Sequence, residues 1–311
     1  MRCLRLSDVI ALKRSILSQH TDLNMKKFES LLLPAIGVSI AFCLTACLHN
    51  YENNERASIG ERATLPTADS SEFEELRSLN WQQVFFDSGT DNWRENWMKD
   101  GVMGTVENSP EGMHVKAGPE ADNHAHHMVL WTKRSFEGDV KVSFEYTRTD
   151  SAELYVTILY LLASGEGTTE FPTDIMEWAE YRDEPYMRHY FDNMDTYHIS
   201  YAAFGLGEED APDDYIRARR YLPLANNRLM GTALEGDYTN TGFFKTGVPH
   251  QITVIKYDDT LWMKVSNEEQ TQLYKWSTAS HPNINKGRIG LRHMFTRSAL
   301  YKNVQVSALS S

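Results

Sequence analysis

The stretch Lys141-Val142-Ser143-Phe144-Glu145-Tyr146 constrains the fold more than any other, because polar and apolar side chains alternate along it without a break. A period of two places its apolar residues on one face of an extended strand and leaves the other face wet. Leu154 to Leu162 is apolar almost throughout, as a strand buried on both faces would be. Gln251 to Tyr257 and Leu261 to Val265 form a hairpin, with Asp258-Asp259 in its turn. Arg288 to Phe295 and Tyr301 to Val306 complete a series of strands that begins near Trp81. Helical periodicity is weak, with Thr173 to Tyr181 the best short candidate. Many short strands between turn residues predict an all-β chain folded as a jelly-roll β-sandwich.

The N-terminal region has a different logic. Met25-Lys26-Lys27 supplies a positive start, and Phe28 to Leu44 is apolar but broken by Glu29, Ser30, Pro34, Gly37 and Ser39. Such a stretch is too short and interrupted to span a membrane and reads as a signal segment. It closes with Leu44-Thr45-Ala46-Cys47, small residues before a cysteine, as in a lipoprotein processing site. The expected organisation is an extension foreign to the export signal over residues 1–24 and a lipoprotein signal peptide over 25–46. A lipid anchor on Cys47 with a polar tether follows over 47–75, and the jelly-roll domain over 76–311. The expected location is the cell envelope, on the outer membrane, since Leu48 is no inner-membrane retention residue. The cysteines are Cys3, Cys43 and Cys47, so nothing beyond the anchor can form a disulfide, a thiolate nucleophile or a thiolate metal site.

Charge narrows the partners. Six basic and three acidic residues lie in the first 46, so 25 of 31 basic and 40 of 43 acidic residues remain, a formal net of −15. That excludes nucleic acid, whose phosphates need a basic field. An anionic ligand would have to be held by local arginines.

Four stretches then stand in a telling order: Trp93 to Gly101 with its acidic-Gly turn, His127-Met128-Val129-Leu130-Trp131, His198-Ile199-Ser200-Tyr201, and Lys286 to Met294. Together they resemble the YesU-like bacterial proteins, over roughly Trp81 to Val306. That family places an arginine-rich stretch after the His-x-Ser-Tyr strand. Arg217-Ala218-Arg219-Arg220 takes its place here, but Leu222 to Asn227 replaces the Pro-Gly pattern that follows, leaving the arginine match open by a residue or two. The resemblance implies a concanavalin-A-like jelly-roll β-sandwich engaged in the breakdown of acidic polysaccharides. Its finer implication is a hydro-lyase, a dehydratase that removes water from the non-reducing-end uronic acid of an ulvan-type oligosaccharide and leaves a 4,5-unsaturated sugar. The alternatives are a non-catalytic glycan-binding lipoprotein and a polysaccharide lyase of the same fold. A glycoside hydrolase would need paired carboxylates, and no such motif stands on a strand.

Elimination from a uronic acid needs a cation on the carboxylate, a base for the C5 proton and an acid for the departing hydroxyl. Among the matched residues, the catalytic candidates are His198, Tyr201, His127 and Tyr190. The substrate-binding candidates are Arg219, Arg292, His189, Arg288 and Trp131. Strand alternation puts His198 and Ser200 on one face, with Ile199 and Tyr201 on the other. If Ile199 faces the core, His198 points outward and Tyr201 is buried unless a bulge turns it. Arg288, Gly290, Arg292 and Met294 likewise share a face opposite Ile289, Leu291, His293 and Phe295, so His198 and Arg292 form the leading pair. Each also has a plainer reading, as a satisfied histidine or an ordinary salt-bridge partner. No cofactor or metal is expected. His124, His126 and His127 crowd together, but no carboxylate stands at a ligand spacing. The acidic run Glu208-Glu209-Asp210 with Asp213-Asp214 lacks the glycines of a calcium loop and reads as solvated. Trp131, Trp178 and Trp262 read as core before sugar platforms.

Overall fold

Residues 70–205, 214–223 and 228–309 are described in the structure, a computed structural model. The expected leader, Cys47, the tether as far as residue 69, and the acidic run up to Asp213 lie outside them. The chain enters through α1 (Ser70–Arg77) and continues into β1 (Trp81–Asp87), β2 (Trp97–Asp100), β3 (Thr105–Ser109), β4 (Gly112–Lys116) and β5 (Met128–Thr132). The short β6 (Phe136–Glu137) leads to β7 (Val140–Arg148) and β8 (Tyr155–Gly165). A 3-10 helix (Ile175–Arg182) and α2 (Met187–Phe191) precede β9 (Met194–Phe204), β10 (Asp214–Tyr221) and β11 (Ala233–Thr239). The remainder is β12 (Pro249–Tyr257), β13 (Thr260–Ser266), β14 (Thr271–Ser277), β15 (Lys286–His293) and β16 (Ser298–Leu309).

The strands form two antiparallel sheets. The first runs β14-β13-β12-β7-β16-β4-β3 with β1 also on β16, and the second β11-β10-β9-β8-β15-β5-β2 with β6 on β15. This is the expected jelly-roll sandwich. Val142, Phe144 and Tyr146 are buried while Lys141, Ser143 and Glu145 are half-exposed, as the alternation requires. The buried three join Leu159, Leu161, Ile199, Tyr201, Ile289 and Leu291 of the second sheet in the inter-sheet core. The expected hairpin forms between β12 and β13, with Tyr257 opposite Thr260 across the acidic pair.

Two expectations shift. Residues 70–75 belong to a packed helix, not a tether, because Phe73 of α1 is fully buried with Ile255, Trp262 and Leu273. The helical candidate near Thr173 is a 3-10 helix, capped by the Asp174 side chain on the Met176 amide and kinked at Trp178. Among the described residues, no helix is long and apolar enough to cross a membrane.

The outer face of the second sheet is covered as well. Residues 166–193, between β8 and β9, lie across it as a strap. Phe171, Ile175, Trp178, Tyr190 and Phe191 of the strap cluster with Val129, Trp131, Ile158, Tyr160 and Tyr221 from the sheet. That second cover explains why β8 is apolar on both faces.

Candidate functional site

Under the strap, two rows of outward-facing side chains cross the second sheet. In the first, Arg219, His198, Tyr160, Gly290 and Trp131 are successive cross-strand neighbours. The adjacent row runs Ser200, Ile158, Arg292, Val129 and Asp100. Gly290 makes the stacking possible. A Cβ there would sit 2.4 Å from the Trp131 ring, so its absence lets Trp131 lie against Tyr160, with ring centroids 5.3 Å apart. Tyr190 of the strap stacks on Tyr160 at 6.0 Å.

Asp100, at the end of β2, gathers the strap onto the sheet. Its Oδ2 accepts from Trp131 Nε1 at 2.7 Å, Arg182 Nε at 2.6 Å and the Tyr190 hydroxyl at 3.1 Å. Arg288 makes a second fastening. It holds Asp174 through both carboxylate oxygens and reaches the Thr132 and Lys133 carbonyls.

Arg292 is different. Among the described residues, the fully or nearly buried arginines are Arg148, Arg182, Arg220, Arg288, Arg292 and Arg297. Five pair with a carboxylate; Arg292 has no ion pair among the described residues. Its Nη2 donates to His127 Nδ1 at 2.6 Å and to the Pro185 carbonyl at 2.7 Å, and its plane lies 4.4 Å over the Tyr190 ring. Its Nε and Nη1 are buried without a hydrogen-bond partner, and the Tyr160 hydroxyl lies close beside the guanidinium. A guanidinium can only donate, so His127 Nδ1 accepts and the proton of the neutral ring lies on Nε2. That Nε2 is also buried and unpartnered. Burial, then the Arg292 charge, pulls the His127 pKa down to about 2, which keeps the ring neutral. One guanidinium–imidazole pair thus offers three unpartnered donor nitrogens and no acceptor.

His198 lies two strands and one row from Arg292, roughly 12 Å by strand spacing and rise, with the Tyr160 ring 5.7 Å from the imidazole. Its Nδ1 shares a 2.5 Å hydrogen bond with the Tyr221 hydroxyl, and its Nε2 a 2.7 Å bond with Ser200 Oγ. Burial, then Arg219 and Arg292, hold its pKa well below the ordinary value. Burial likewise raises the Tyr221 and Tyr190 hydroxyls well above theirs.

The structure therefore brings His198, Arg292, His127, Tyr190, Arg219 and Trp131 to one covered face and removes others from it. Tyr201 is corrected: the bulge in β9 falls just after it, at Ala202, and leaves its side chain inward, where its hydroxyl meets Tyr301 at 3.0 Å inside the inter-sheet core. Arg288 is corrected from substrate binder to strap fastening, its guanidinium already saturated by Asp174 and carbonyls. Tyr190 donates its hydroxyl hydrogen bond to Asp100, so it too fastens the strap, and His127 is a donor beside Arg292. Trp131 is floor, fully buried and tied to Asp100. Arg219 donates to Thr232 Oγ1 at 3.2 Å beside His198. His189 lies on the outer side of the strap, against Tyr181 at 4.4 Å. Sequence reasoning missed Asp100, Arg182 and Tyr221. Alternation along Arg217, Arg219 and Tyr221 was the available signal for the last. Among the described residues, no group of three His, Cys, Asp or Glu side chains is placed to hold a metal ion.

A two-sheet antiparallel sandwich with a covered polar face defines the class of protein. By sequence the chain belongs to the DUF1961 family (domain of unknown function), whose profile matches residues 86–306. No curated protein matches it in sequence. Among solved structures it is similar to a Bacillus subtilis protein of unknown function with a galectin-like fold, at 16% identity and a TM-score of 0.55 over 74% of this chain and 100% of that one. It also aligns with the winged bean acidic lectin complexed with methyl-α-D-galactose, at 6% identity and TM-score 0.49 over 74% of this chain and 100% of that one. A carbohydrate-binding module from Bacillus subtilis aligns at 12% identity and TM-score 0.40, over 68% and 96%. The first of these shows the fold.

Proposed function

We propose that the protein binds an acidic oligosaccharide by its terminal uronic acid and eliminates water across C4 and C5, as an ulvan-type oligosaccharide dehydratase would. The observation that carries this reading is Arg292, a fully buried cation with two unpartnered donor nitrogens, Nε and Nη1, and no carboxylate of its own among the described residues. A buried charge without a counter-ion costs several kcal/mol, so a site that keeps one is built for an anion arriving from outside. A uronate carboxylate supplies that anion, with planar oxygens that suit guanidinium N–H groups. His127 Nε2–H adds a third donor.

Neutralising the carboxylate acidifies the C5 proton. His198, neutral at physiological pH, takes that proton, and the C5–H electrons form the C4=C5 bond as the C4–O bond breaks. The Tyr221 hydroxyl gives its proton to the departing hydroxide, which leaves as water. The imidazolium of His198 then returns the C5 proton to Tyr221 along their short hydrogen bond, so both groups end as they began. Each such proton transfer is worth about 10²–10⁴-fold. A simple binder would display an open aromatic platform, whereas Trp131, Tyr160 and Tyr190 stack beneath the strap. The reading extends to the membrane: a lipid on Cys47 holds the domain at the cell envelope. Palmitate labelling in a bacterial host, lost in Cys47→Ala, is the result expected of that anchor, and persistent labelling contradicts it.

The test is incubation with saturated uronate-terminated oligosaccharides, sulfated ulvan fragments among them, while ultraviolet absorbance of the unsaturated uronate is followed. The expected result is rising absorbance and a product lighter by one water, both abolished in His198→Ala. Chain shortening would make the protein a polysaccharide lyase. Measurable affinity without absorbance change would leave a glycan-binding protein.

A further inference from the structure

The outer side of the strap holds a cleft of about 280 Å³ lined by Tyr181, Tyr186, Arg188, His189, Asp192 and Asn193. Its surface is aromatic where it meets solvent: Tyr181 is 46% exposed, with its ring against His189 at 4.4 Å, and Tyr186 lies 5.8 Å from the same imidazole. Its rim is balanced in charge, since Arg188 Nε meets Asp192 Oδ2 at 3.0 Å. His189 Nδ1 is buried and has no hydrogen-bond partner.

The cleft adjoins the Arg292–His127 pair. Pro185, whose carbonyl accepts from Arg292, immediately precedes Tyr186. The Tyr186 ring lies 4.0 Å from His124, which in turn lies 5.5 Å from His127. Tyr186 therefore links the wall of the cleft to the group that holds Arg292.

We propose that this cleft receives the second sugar of the oligosaccharide, an uncharged pyranose ring joined to the terminal uronate, and so sets a preference for oligosaccharides over a lone uronic acid. The proposal rests on the uronate reading of Arg292. A pyranose ring has an apolar C–H face suited to an exposed tyrosine and hydroxyls around its edge suited to polar walls. The volume falls just below the range of about 300–1,000 Å³ usual for drug-sized ligands and fits one ring. The paired Arg188 and Asp192 leave no surplus charge for an ionic ring, while His189 Nδ1 and Asn193 offer hydroxyl partners.

Titration calorimetry on the full chain tests this with two probes, methyl glucuronide and a glucuronyl disaccharide whose second ring is uncharged. The wild-type protein is expected to bind the disaccharide at least about tenfold more tightly. Tyr181→Ala should erase that advantage without changing methyl glucuronide affinity, and Tyr181→Phe should retain it. An unchanged ratio in Tyr181→Ala overturns the proposal. So does equal weakening of both probes, which would make Tyr181 a prop for the strap. If neither probe binds the wild-type protein, the uronate reading itself fails and the subsite falls with it.

Discussion

The second sheet buries polar side chains on both faces, and the two faces treat them differently. On the inner face, the Tyr201 and Tyr301 hydroxyls bond to each other and Tyr301 meets His293 Nε2 at 2.9 Å. His293 Nδ1 lacks a partner, but burial holds the ring's pKa at about 3, so what is missing is one hydrogen bond to a neutral group. On the outer face, Asp100 satisfies Arg182, Trp131 and Tyr190, and Arg292 is left as a cation without a carboxylate. A missing neutral hydrogen bond costs about 1–3 kcal/mol. An uncompensated buried charge costs more, and only a charged ligand removes that cost completely. The inner face stabilises the sandwich; the outer face holds a standing demand for an anion.

Substitutions at Arg292 should separate the faces most sharply. Arg292→Met is expected to lower elimination activity by at least about 10³-fold while leaving the Tm unchanged or higher. A destabilisation of about 3–5 kcal/mol, the usual result of breaking a buried ion pair, would show that Arg292 is structural after all. Gly290→Ala comes next. Its Cβ collides with Trp131, and the expected cost is about 1–3 kcal/mol, read by denaturant unfolding, with activity lost as Trp131 is pushed from Asp100 and Tyr160. Unchanged stability would mean that the aromatic stack is loose.

Acid should act on both faces. His127, His198 and His293 stay neutral in the fold, with pKa values of about 2, well below the ordinary value, and about 3. Below an ordinary value near 6.5 the unfolded chain binds protons that the folded one refuses. Their contribution is therefore complete above about pH 6.5 and falls as the pH drops towards the folded values. Unfolding free energies between about pH 6.5 and 5, above the main carboxylate range, should fall with acid, and His293→Phe should lessen the slope by one proton. An unaltered slope would contradict its neutral burial. The smallest effect belongs to Tyr201→Phe, which should cost about 1 kcal/mol for the lost hydroxyl pair and leave kcat within about twofold, since an inner-face hydroxyl does not touch the sugar.

How much of this was legible follows from what strand alternation can and cannot report. Alternation in β9 put Ile199 and Tyr201 inward and His198 outward, and in β15 it separated Arg292 from Leu291 and His293. The structure keeps every one of those sides. The matched family types suggested Tyr201 as catalytic, and there the local period was the better guide. Hidden from the sequence was the strap, because nothing near Arg182 or Tyr190 announces a partner as remote as Asp100. Arg288 and Arg292 look equivalent on a strand. Asp174, on a distant turn, makes one a fastening and leaves the other unpaired.

The most direct test of the central claim compares the affinity of the protein for a uronate-terminated oligosaccharide with that for the same sugar reduced at C6 to the neutral hexose, in wild-type and Arg292→Met forms. The wild-type protein should prefer the uronate by about 100-fold or more, as expected when a buried charged partner is left unpaired, and Arg292→Met should lose the preference. Equal affinity of the wild-type protein for the two sugars would contradict the assignment of Arg292 as the carboxylate site.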